Sequence, residues 1–588
     1  MVWRIAPRWT LANAALVVVQ GGLPLAALFV MRRIVDAVAA SLASTGQAAP
    51  GASVFLWVGV AGGVALLTAL ARSLGEYATE GQALRVTDEV ADILHAQSVA
   101  VDLEYYEDPA YHDTLHRAQR EAPYRPTRIV NGLVQAGQSG LAFAGLAGWL
   151  FASHWLLAAG LVVAAVPGVY GRLMHSRRIF GFDRAKTEHE RRAWYYHTVL
   201  TDQAHAKELR LFDLGSLFQA RHREARQHIR AGRLALAKRR VLFDLGAQTV
   251  ATAALFVALA WIALQTTRGA FTLGDLVVCF VGFQSALSLL QTFMRALAGL
   301  YEDNLFLTNF YAFLDIVPAI APPPRPRAVP TPIVNGVIVD KVGFRYPGQS
   351  ADALHDVDLT LAPGEIVALV GENGSGKSTL LKLLCRLYDP ARGAITVDGV
   401  DVRDLDPVQW RRRLSVVFQD YTHYALTVTE NIWLGDTTTP PEPARIAQAG
   451  LRAGIDPAVR RLPSAYDTLL GRWFREGQEL SEGEWQKIAL ARAFWRDARI
   501  LVLDEPSSAL DPLAEADLFR RFRDLLDGRS AVIVSHRFST VQLADCIYVM
   551  DQGRVVERGT HAALVARGGH YARLYRAQAQ YYRASGPE

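Results

Sequence analysis

The sequence predicts a multidomain protein, in which an all-α membrane domain of six helices precedes an α/β domain. The chain has 588 residues, more than a single hydrophobic core normally serves. Residues 1–315 contain long apolar windows without charge, whereas residues 333–583 have the pattern of a soluble α/β protein. Between them, residues 318–332 contain seven prolines, which favours extended backbone. We therefore assign 1–317 to the membrane domain, 318–332 to a proline-rich linker and 333–583 to the α/β domain.

The net charge of +5 does not point to a nucleic-acid partner. Arginine and lysine are concentrated between the apolar windows, a distribution that fits membrane topology better than a nucleic-acid-binding face. The three cysteines, Cys279, Cys385 and Cys546, form no CxxC pair and no Cys/His cluster with zinc spacing. This argues against a disulfide framework and against a structural metal.

The N-terminal apolar run could be a signal peptide, because Arg4 and Arg8 precede it. The charge-free run 9–31 is long enough to span a bilayer, however, and it continues into Arg32 and Arg33 without a convincing cleavage site. We therefore expect an uncleaved first span.

Six windows reach the length of about 20 residues that a helix needs to cross a bilayer. Backbone polar groups in lipid must be satisfied within the segment, so each window should be helical. Residues 129–171 contain no Asp, Glu, Lys or Arg and can supply two spans, which we divide at Ser153 and His154. The predicted spans are 11–36, 53–75, 129–152, 155–174, 245–267 and 274–297.

The connections between the windows predict the orientation. The linker 41–52 has no Lys or Arg, whereas segments 76–128 and 175–240 are long and rich in Arg. The positive-inside rule places these two segments and both termini in the cytoplasm. We therefore expect a multi-pass protein of the cytoplasmic membrane whose α/β domain is cytoplasmic.

Each cytoplasmic segment has an aromatic-rich break in its helical pattern, at 103–111 and at 209–218. The breaks are either loop turns that pack on their own helices or docking points for the α/β domain. The sequence does not decide between these interpretations.

Polar residues recur at helical spacing in the last span, where Gln284, Ser288, Gln291 and Arg295 share one face. Polar groups inside a membrane are costly unless they are paired or hydrated. This face therefore predicts either a water-filled translocation cavity or hydrogen bonds between helices.

The strongest motif in the α/β domain is the phosphate-binding loop GENGSGKS, from Gly371 to Ser378. It follows a strand-like run, 366–370, and precedes a helix-like run, 379–387, as the motif requires. Its glycines allow backbone N–H groups to approach phosphate, Lys377 supplies a positive charge, and Ser378 offers a hydroxyl to Mg²⁺. The predicted ATP contacts are Gly371, Asn373, Gly374, Ser375, Gly376, Lys377, Ser378 and Thr379.

A second motif, ILVLDE at 500–505, is an apolar strand that ends in two carboxylates. Such a strand belongs in the middle of a parallel sheet. We expect Asp504 to hold Mg²⁺ and Glu505 to act as the general base for the attacking water. The alternative is a strand that ends in a capping carboxylate.

These motifs, in this order, resemble the nucleotide-binding domain of ABC transporters, and the six-span layout resembles the exporter half-transporters of that superfamily. The resemblance covers nearly the whole chain and implies an α/β P-loop domain with a helical subdomain. Tyr346 matches the aromatic residue that stacks on adenine, although a core tyrosine is an alternative. Further matches are Gln419, which senses Mg²⁺; Ser481 and Gly483 of the signature loop; Asp511 of the loop that crosses to the partner subunit; and His536, which contacts the γ-phosphate.

The signature loop departs from the family pattern. The usual sequence is LSGGQ, but here the loop reads LSEGE, with Glu482 and Glu484 at the third and fifth positions. A carboxylate that points toward the γ-phosphate of ATP would oppose binding, whereas one that points to solvent should have little effect. We expect ATP hydrolysis, with a rate that depends on this orientation.

The resemblance implies ATP hydrolysis coupled to export, with ATP and Mg²⁺ bound between two subunits. Each catalytic residue is present, so a homodimer is the simplest assembly, and a dimer with a related half-transporter is the alternative. The text WQKIAL after the signature is similar to that of lantibiotic and other peptide exporters, which favours a peptide or amphipathic cargo. A lipid or hydrophobic drug exporter is the alternative, and an ATP-gated channel or regulator is more remote.

Overall fold

The computed structural model describes residues 2–43, 51–107, 124–185, 187–506 and 512–583. The chain divides into two units. We call Met1–Ala100 with Pro109–Val317 the helical unit, and Val101–Asp108 with Pro318–Glu588 the sheet unit. The proline-rich linker and a short stretch from the first predicted cytoplasmic segment thus belong to the sheet unit.

Six long helices dominate the described residues of the helical unit, and each contains one of the six predicted spans. The chain leaves helical conformation at His154, between the two spans predicted from one uncharged run. The long helices are Pro7–Ala43, Gly51–Ala100, Arg125–Ser153, Trp155–Ala185, Gly215–Thr267 and Leu273–Leu314; the shorter ones are Val2–Ile5, Thr187–Thr201 and Ala206–Leu211, with a 3₁₀ turn at Gln203–His205.

Four of these helices, in the part of the chain that the structure describes, are long and apolar enough to cross a membrane by themselves. The stretch Trp155–Gly171 is a shorter apolar helix. The helix Arg125–Ser153 is not among the four; it carries Asn131, Gln135 and Gln138 between small and apolar residues. A bundle with six crossings therefore remains a prediction for these last two helices.

The helical unit is held together by an apolar cluster and by polar contacts between helices. Leu146, Leu150 and Phe283 are almost completely buried in the cluster. Gln138 donates a hydrogen bond to Gln20 at 2.6 Å, and Asn13 donates one to Gln82 at 2.6 Å. Such bonds between membrane helices are each worth roughly 0.6 kcal/mol.

The sheet unit contains two sheets within its described residues. The larger sheet has the order β10-β9-β3-β8-β7-β6, in which only β10 is antiparallel to its neighbour, and the smaller antiparallel sheet has the order β2-β1-β4-β5. The strands are β1 Val337–Phe344, β2 Leu354–Leu361, β3 Ile366–Val370, β4 Arg392–Val397, β5 Val400–Asp401, β6 Leu414–Val417, β7 Ile500–Asp504, β8 Ser530–Val534, β9 Cys546–Asp551 and β10 Arg554–Gly559.

The central strands of the larger sheet are buried on both faces, as their continuous apolar sequences predict. Alternate residues of β3 enter different cores: Ile366 and Ala368 pack in one, and Val367 and Leu369 in the other. The first core also holds Trp485 and the helices around it, whereas the second holds the smaller sheet. The predicted α/β class with a helical subdomain is thereby confirmed.

The helices of the sheet unit connect these strands or cover their faces. Pro443–Ala453 illustrates their local design, since a proline occupies its first turn and Gly454 ends it in left-handed conformation. The others are Leu103–Glu107, Lys377–Leu384, Pro407–Arg412, Val428–Trp433, Asp456–Val459, Glu482–Trp495, Pro512–Arg520, Phe522–Leu526, Phe538–Val541, His561–Arg567 and His570–Arg583, with 3₁₀ turns at Val402–Asp404 and Ala465–Asp467.

The first aromatic-rich break forms part of the sheet unit. Glu107 accepts hydrogen bonds from the Lys382 ammonium and the Tyr388 hydroxyl, both at 2.6 Å. Burial opposes ionisation of Glu107, but these two bonds and the charge of Lys382 hold its pKa below the usual value. These contacts favour the docking interpretation for residues 103–107; residues 108–111 lie outside the described residues. At the second break, Leu211 and Phe212 are exposed, and both interpretations stay open.

Candidate nucleotide site

The phosphate-binding loop joins β3 to the helix Lys377–Leu384, as its motif predicts. Two of its glycines are required by close packing. A Cβ atom at Gly371 would lie 2.2 Å from the carbonyl oxygen of Met550, and one at Gly376 would lie 2.6 Å from the Leu354 side chain. Gly376 also has a φ of 101°, which side chains rarely adopt, and it caps the helix. Ser375, Asn373 and Gly374 complete the loop.

Lys377 lies inside the loop rather than on its surface. Its ammonium donates to the carbonyl oxygens of Gly371 and Glu372, both at 2.8 Å, and to the Ser375 hydroxyl at 3.3 Å. Burial lowers the pKa of Lys377, while the carboxylates of Glu505 and Asp504 act in the opposite direction. The loop thus holds one positive charge at its centre, where phosphate oxygens would bind.

Ser378 and Asp504 face each other at the end of β7. The Ser378 hydroxyl donates to the Asp504 carboxylate at 3.2 Å. Burial raises the pKa of Asp504, as does the neighbouring charge of Glu505, whereas the Ser378 hydrogen bond lowers it. A hydroxyl and a carboxylate that converge in this way are oxygen donors that Mg²⁺ prefers, and the Gln419 amide, which contacts the adjacent residue Glu505, offers a further oxygen. The described residues contain no cluster of three or more His, Cys, Asp or Glu that could hold a metal alone.

Glu505 is held between two predicted site residues. Gln419 donates from Nε2 to one carboxylate oxygen at 3.3 Å, and Nδ1 of His536 lies 3.2 Å from the other. The residue has a φ of 52°, unusual for a side chain other than glycine, at the turn that leaves β7. The three predicted catalytic residues therefore lie together at the carboxyl end of the parallel sheet.

Sequence reasoning missed one further contact, in which Gln486 donates from its side chain to the Glu505 carbonyl at 3.3 Å. Gln486 lies on the helix that follows the signature loop, so the bond ties that helix to the end of β7. The WQK motif around Gln486 was the signal that could have drawn attention to it.

Tyr346 and Thr379 are joined by a hydrogen bond between their hydroxyls at 3.1 Å. The Tyr346 ring is half-buried, lies edge-on to Phe344, and has the Lys382 ammonium 5.4 Å from its centre. Tyr346 therefore lies beside the first turn of the loop helix, while one part of its ring belongs to the core. This position is compatible with both predicted roles of Tyr346, as the residue that stacks on adenine and as a core tyrosine.

The signature loop begins the helix Glu482–Trp495, and Ser481 is its N-cap. Ser481 and Glu484 form a reciprocal capping box, in which the Glu484 carboxylate accepts from both the backbone and the hydroxyl of Ser481, at 3.0 and 2.9 Å. Arg461 also contacts this carboxylate, at 2.7 Å. Burial opposes its ionisation, but these partners hold the pKa of Glu484 below the usual value.

Glu482 has a different environment, with its side chain 75% exposed. Its carboxylate lies 3.8 Å from Nε2 of His423, and its carbonyl accepts a hydrogen bond from the Tyr421 hydroxyl at 3.0 Å. His423 stacks on Trp485 with ring centres 4.3 Å apart. Within one chain, Glu482 therefore points to solvent beside a histidine.

The structure does not bring every predicted site residue together. In the part of the chain that it describes, no hydrogen bond joins Ser481 or Gly483 to the phosphate-binding loop. Asp511 lies outside the described residues. The remaining predicted residues lie on or next to the loop, or at the ends of β6, β7 and β8.

Comparisons with known proteins agree with this arrangement. Residues 354–508 match the ABC transporter family. The chain is 29% identical over 512 residues to the subtilin transport ATP-binding protein SpaT of Bacillus subtilis, covering 86% of this chain and 82% of that protein. It is 44% identical over 247 residues to an ATP-dependent lipid A-core flippase of Aromatoleum aromaticum, covering 42% of this chain and 40% of the flippase.

The fold comparison covers the whole molecule. A solved structure of a bacterial Atm1-family ABC exporter with ATP bound superposes with a TM-score of 0.85, at 24% identity, over 98% of this chain and 99% of that one. A phosphate-binding-loop domain joined to long apolar helices defines an ATP-driven membrane transporter. Residues 354–508 are an ABC transporter domain, the chain has the fold of an ABC exporter, and its relatives are transport proteins, so the chain is an ATPase whose hydrolysis is coupled to transport.

Proposed function

We propose that this chain exports a peptide or another amphipathic cargo across the cytoplasmic membrane, working as a dimer with its sheet unit and both termini in the cytoplasm. The arginine-rich segments between the predicted spans support this orientation. The cargo class rests on the similarity to a subtilin transport protein, which extends over most of both chains.

The exporter half-transporter fold points to a dimer. Ser481 and Gly483 have no hydrogen bond to their own phosphate-binding loop among the described residues, so a second chain can complete each ATP site with them. The backbone N–H groups at the start of a 14-residue helix would then face the γ-phosphate. Because Lys377, Glu505 and His536 are all present, two identical chains form two complete sites, and a related half-transporter is the alternative partner.

Hydrolysis in this proposal is in-line attack of water on the γ-phosphorus. Ser378, Asp504 and Gln419 would hold Mg²⁺, which when bound neutralises charge on the β- and γ-phosphates. Glu505 accepts the proton of the attacking water as the new oxygen–phosphorus bond forms and the bond to the β–γ bridging oxygen breaks. Gln419 and His536 orient the two carboxylate oxygens of Glu505, and Lys377 stabilises the developing negative charge.

The observation that carries this function is the position of Glu505 between Gln419 and His536, beside Asp504 and Ser378. The test is transport into inside-out membrane vesicles with ATP outside. Labelled candidate peptides, chosen because they stimulate the ATPase of the purified protein, should accumulate inside the vesicles. Accumulation that is equal with and without ATP, or equal in a Glu505→Gln variant, would refute coupled export.

A lipid or hydrophobic drug is the second candidate cargo, because the helical unit has an apolar cavity. This cavity has a volume of about 420 Å³ and is lined by residues such as Phe143, Leu161 and Tyr170. It shares Leu290 with a smaller cavity of about 180 Å³, where Gln291, Gln248 and Asp244 supply polar groups. Of the predicted polar face, Gln291 lines this smaller cavity, whereas Gln284, Ser288 and Arg295 are exposed.

Adjacent apolar and polar cavities suit a cargo that has both an apolar and a polar part. ATPase stimulation by lipids but by no peptide would favour the second candidate. An ion current that persists with ATP bound and hydrolysis blocked would instead indicate a channel.

A further inference from the structure

A polar cavity of about 200 Å³ lies in the sheet unit away from the nucleotide site. Three separate segments surround it: the helix Pro443–Ala453, residues 494–499 after the signature helix, and residues 527–529 before β8. None of its lining residues belongs to the phosphate-binding loop or contacts Glu505. The mechanism described above leaves this cavity without a role.

Positive charge dominates the cavity. Four arginines line it, Arg445, Arg452, Arg499 and Arg529, together with Asp497 and Asp527. Arg496 also lines the cavity, and its guanidinium donates to the carbonyls of Gly435 and Arg411. Among the described residues, no carboxylate lies within 4.0 Å of the four guanidiniums. With Arg496 included, the lining has five arginines and two aspartates, and therefore three more positive than negative charges.

Two of these guanidiniums converge on one acceptor. Arg452 and Arg529 each donate from Nη2 to the carbonyl oxygen of Leu525, at 2.5 and 3.0 Å. The two nitrogens are thus at most about 5.5 Å apart, the sum of these distances. Burial lowers the pKa of Arg529, and the charge of Arg452 lowers it further, while Asp527 and Asp497 act in the opposite direction. An anion between the two groups would relieve this repulsion.

Three of the four guanidiniums, those of Arg445, Arg452 and Arg529, are also held in place before any ligand arrives. Arg445 donates to the Trp495 carbonyl at 3.1 Å and lies 4.3 Å from the centre of the Trp495 ring. Arg452 lies 5.4 Å from the centre of the Phe494 ring. A guanidinium has five N–H donors, and bonds to backbone carbonyls use one of them in Arg445 and in Arg452 and two in Arg529. Fixed side chains with donors to spare favour binding, because little conformational entropy is lost.

We propose that this cavity binds a phosphate-type oxyanion, either free pyrophosphate or the phosphoryl groups of a nucleotide, at a site separate from the phosphate-binding loop. The planar guanidinium fork matches the oxygens of phosphate, and several forks around one pocket recognise a polyvalent anion better than a single charge. The proposal does not depend on the cargo or on the direction of transport.

The test uses the full-length protein in detergent, with the nucleotide site saturated with the hydrolysis-resistant analogue Mg-AMP-PNP. Pyrophosphate is titrated at constant ionic strength by calorimetry. We expect saturable binding that the double variant Arg452→Gln/Arg529→Gln weakens at least tenfold. Arg499→Gln should weaken pyrophosphate binding severalfold. The exposed side chain of Arg499 makes no hydrogen bond to the backbone of the described residues, so this variant should fold and still tests the proposal if the double variant does not fold. Arg520→Gln removes an equal charge from the exposed face of the helix Pro512–Arg520 and should leave binding unchanged.

The number of AMP-PNP molecules bound per chain distinguishes the two sources of phosphate. If the wild type binds more than one AMP-PNP per chain and Arg499→Gln binds only one, the ligand of the cavity is the nucleotide. If the wild type binds one AMP-PNP per chain and also binds pyrophosphate, the ligand is the free anion. The proposal is overturned if the wild type binds one AMP-PNP and no pyrophosphate, or if Arg499→Gln and the double variant both bind as the wild type does.

Discussion

The two units of this exporter use polar residues in different ways. In the sheet unit, polar groups converge on the candidate nucleotide site. A single residue there, Glu505, is contacted by Gln419, His536 and Gln486. In the helical unit polar residues form several smaller groups along the helices, such as Gln138 with Gln20, and Asn13 with Gln82 and Thr79. We infer that one substitution in the sheet unit can abolish ATP hydrolysis, whereas one substitution in the helical unit should only reduce transport.

The largest effect should follow the change Glu505→Gln. Glutamine cannot accept the proton of the attacking water, and a general base contributes roughly 10²–10⁴-fold to a rate. We expect ATPase activity to fall by at least about 100-fold while ATP binding persists, as measured by phosphate release and by nucleotide binding to the purified protein. The matched control, Asp524→Asn, removes an exposed carboxylate in the same unit and should retain activity. Near-normal turnover in Glu505→Gln would remove Glu505 as the base.

Lys377→Ala should have the next largest effect, on nucleotide affinity. The ammonium is the positive charge at the centre of the loop, and a hydrogen bond to a charged group is worth about 1.5–3 kcal/mol. We expect roughly tenfold or greater loss of ATP affinity, measured with a fluorescent nucleotide on folded protein. Unchanged affinity would contradict the assignment of the loop.

The architecture of the site was predictable because its residues follow strand ends. The carboxyl ends of parallel strands meet at one edge of a sheet, so motifs at 371–378, 504–505 and 536 had to lie together. The capping role of Glu484 also had a local signal, since Ser481 and Glu484 have the S-x-x-E spacing. By contrast, the arginine-lined cavity is built from three separate segments between residues 445 and 529, and no local sequence pattern predicts it.

The helical unit shows the opposite balance. Composition predicted where its long helices run, because the apolar windows have no other way to satisfy their backbone in lipid. It could not predict which polar residues pair, because Gln20 and Gln138 meet across 118 positions of sequence. Helical spacing likewise placed Gln284 and Gln291 on one face of a helix, but it could not predict which of them lines a cavity, because that depends on the neighbouring helices.

Glu107→Gln tests the segment that leads from the helical unit into the sheet unit. The change weakens the bonds that Lys382 and Tyr388 donate, although part of this contact is solvent-exposed, so the loss should be modest. We expect basal ATPase within about twofold of wild type and stimulation by cargo reduced at least by half. The measurement is ATPase activity with and without a stimulating cargo, and full stimulation in the variant would mean that this contact transmits nothing.

Gln138→Leu tests the distributed contacts of the helical unit. It removes the bond to Gln20, and such a bond between membrane helices averages roughly 0.6 kcal/mol. We expect transport to fall by no more than about threefold, measured in the vesicle assay, with unchanged ATP affinity. Abolished transport in a stably folded variant would break the comparison, because a single polar pair would then control the helical unit.

Substitutions of the two glutamates of the signature loop should differ in their effect on the free energy of unfolding. Glu484→Ala removes a capping box, which costs about 1 kcal/mol of unfolding free energy. Because the folded pKa of Glu484 lies below its usual value, this contribution is present above the unfolded pKa and is lost as pH falls through the folded one. The stability difference between wild type and variant, measured by denaturation, should therefore shrink in acid. A difference that is constant with pH would contradict the capping role.

Glu482→Gly should have the smallest effect, because this side chain is exposed and, within the described residues, no Lys or Arg lies within 4.0 Å of its carboxylate, which has the His423 imidazole 3.8 Å away. Exposed substitutions usually change free energies by less than about 0.5 kcal/mol, a factor of about two. In the proposed dimer, removal of a negative charge from the signature loop should not hinder binding of the γ-phosphate, so hydrolysis should be equal or up to about twofold faster, as measured by phosphate release. A large loss would show that Glu482 contributes to the proposed dimer, and the signature loop would then join Glu505 among the places where one residue controls the sheet unit.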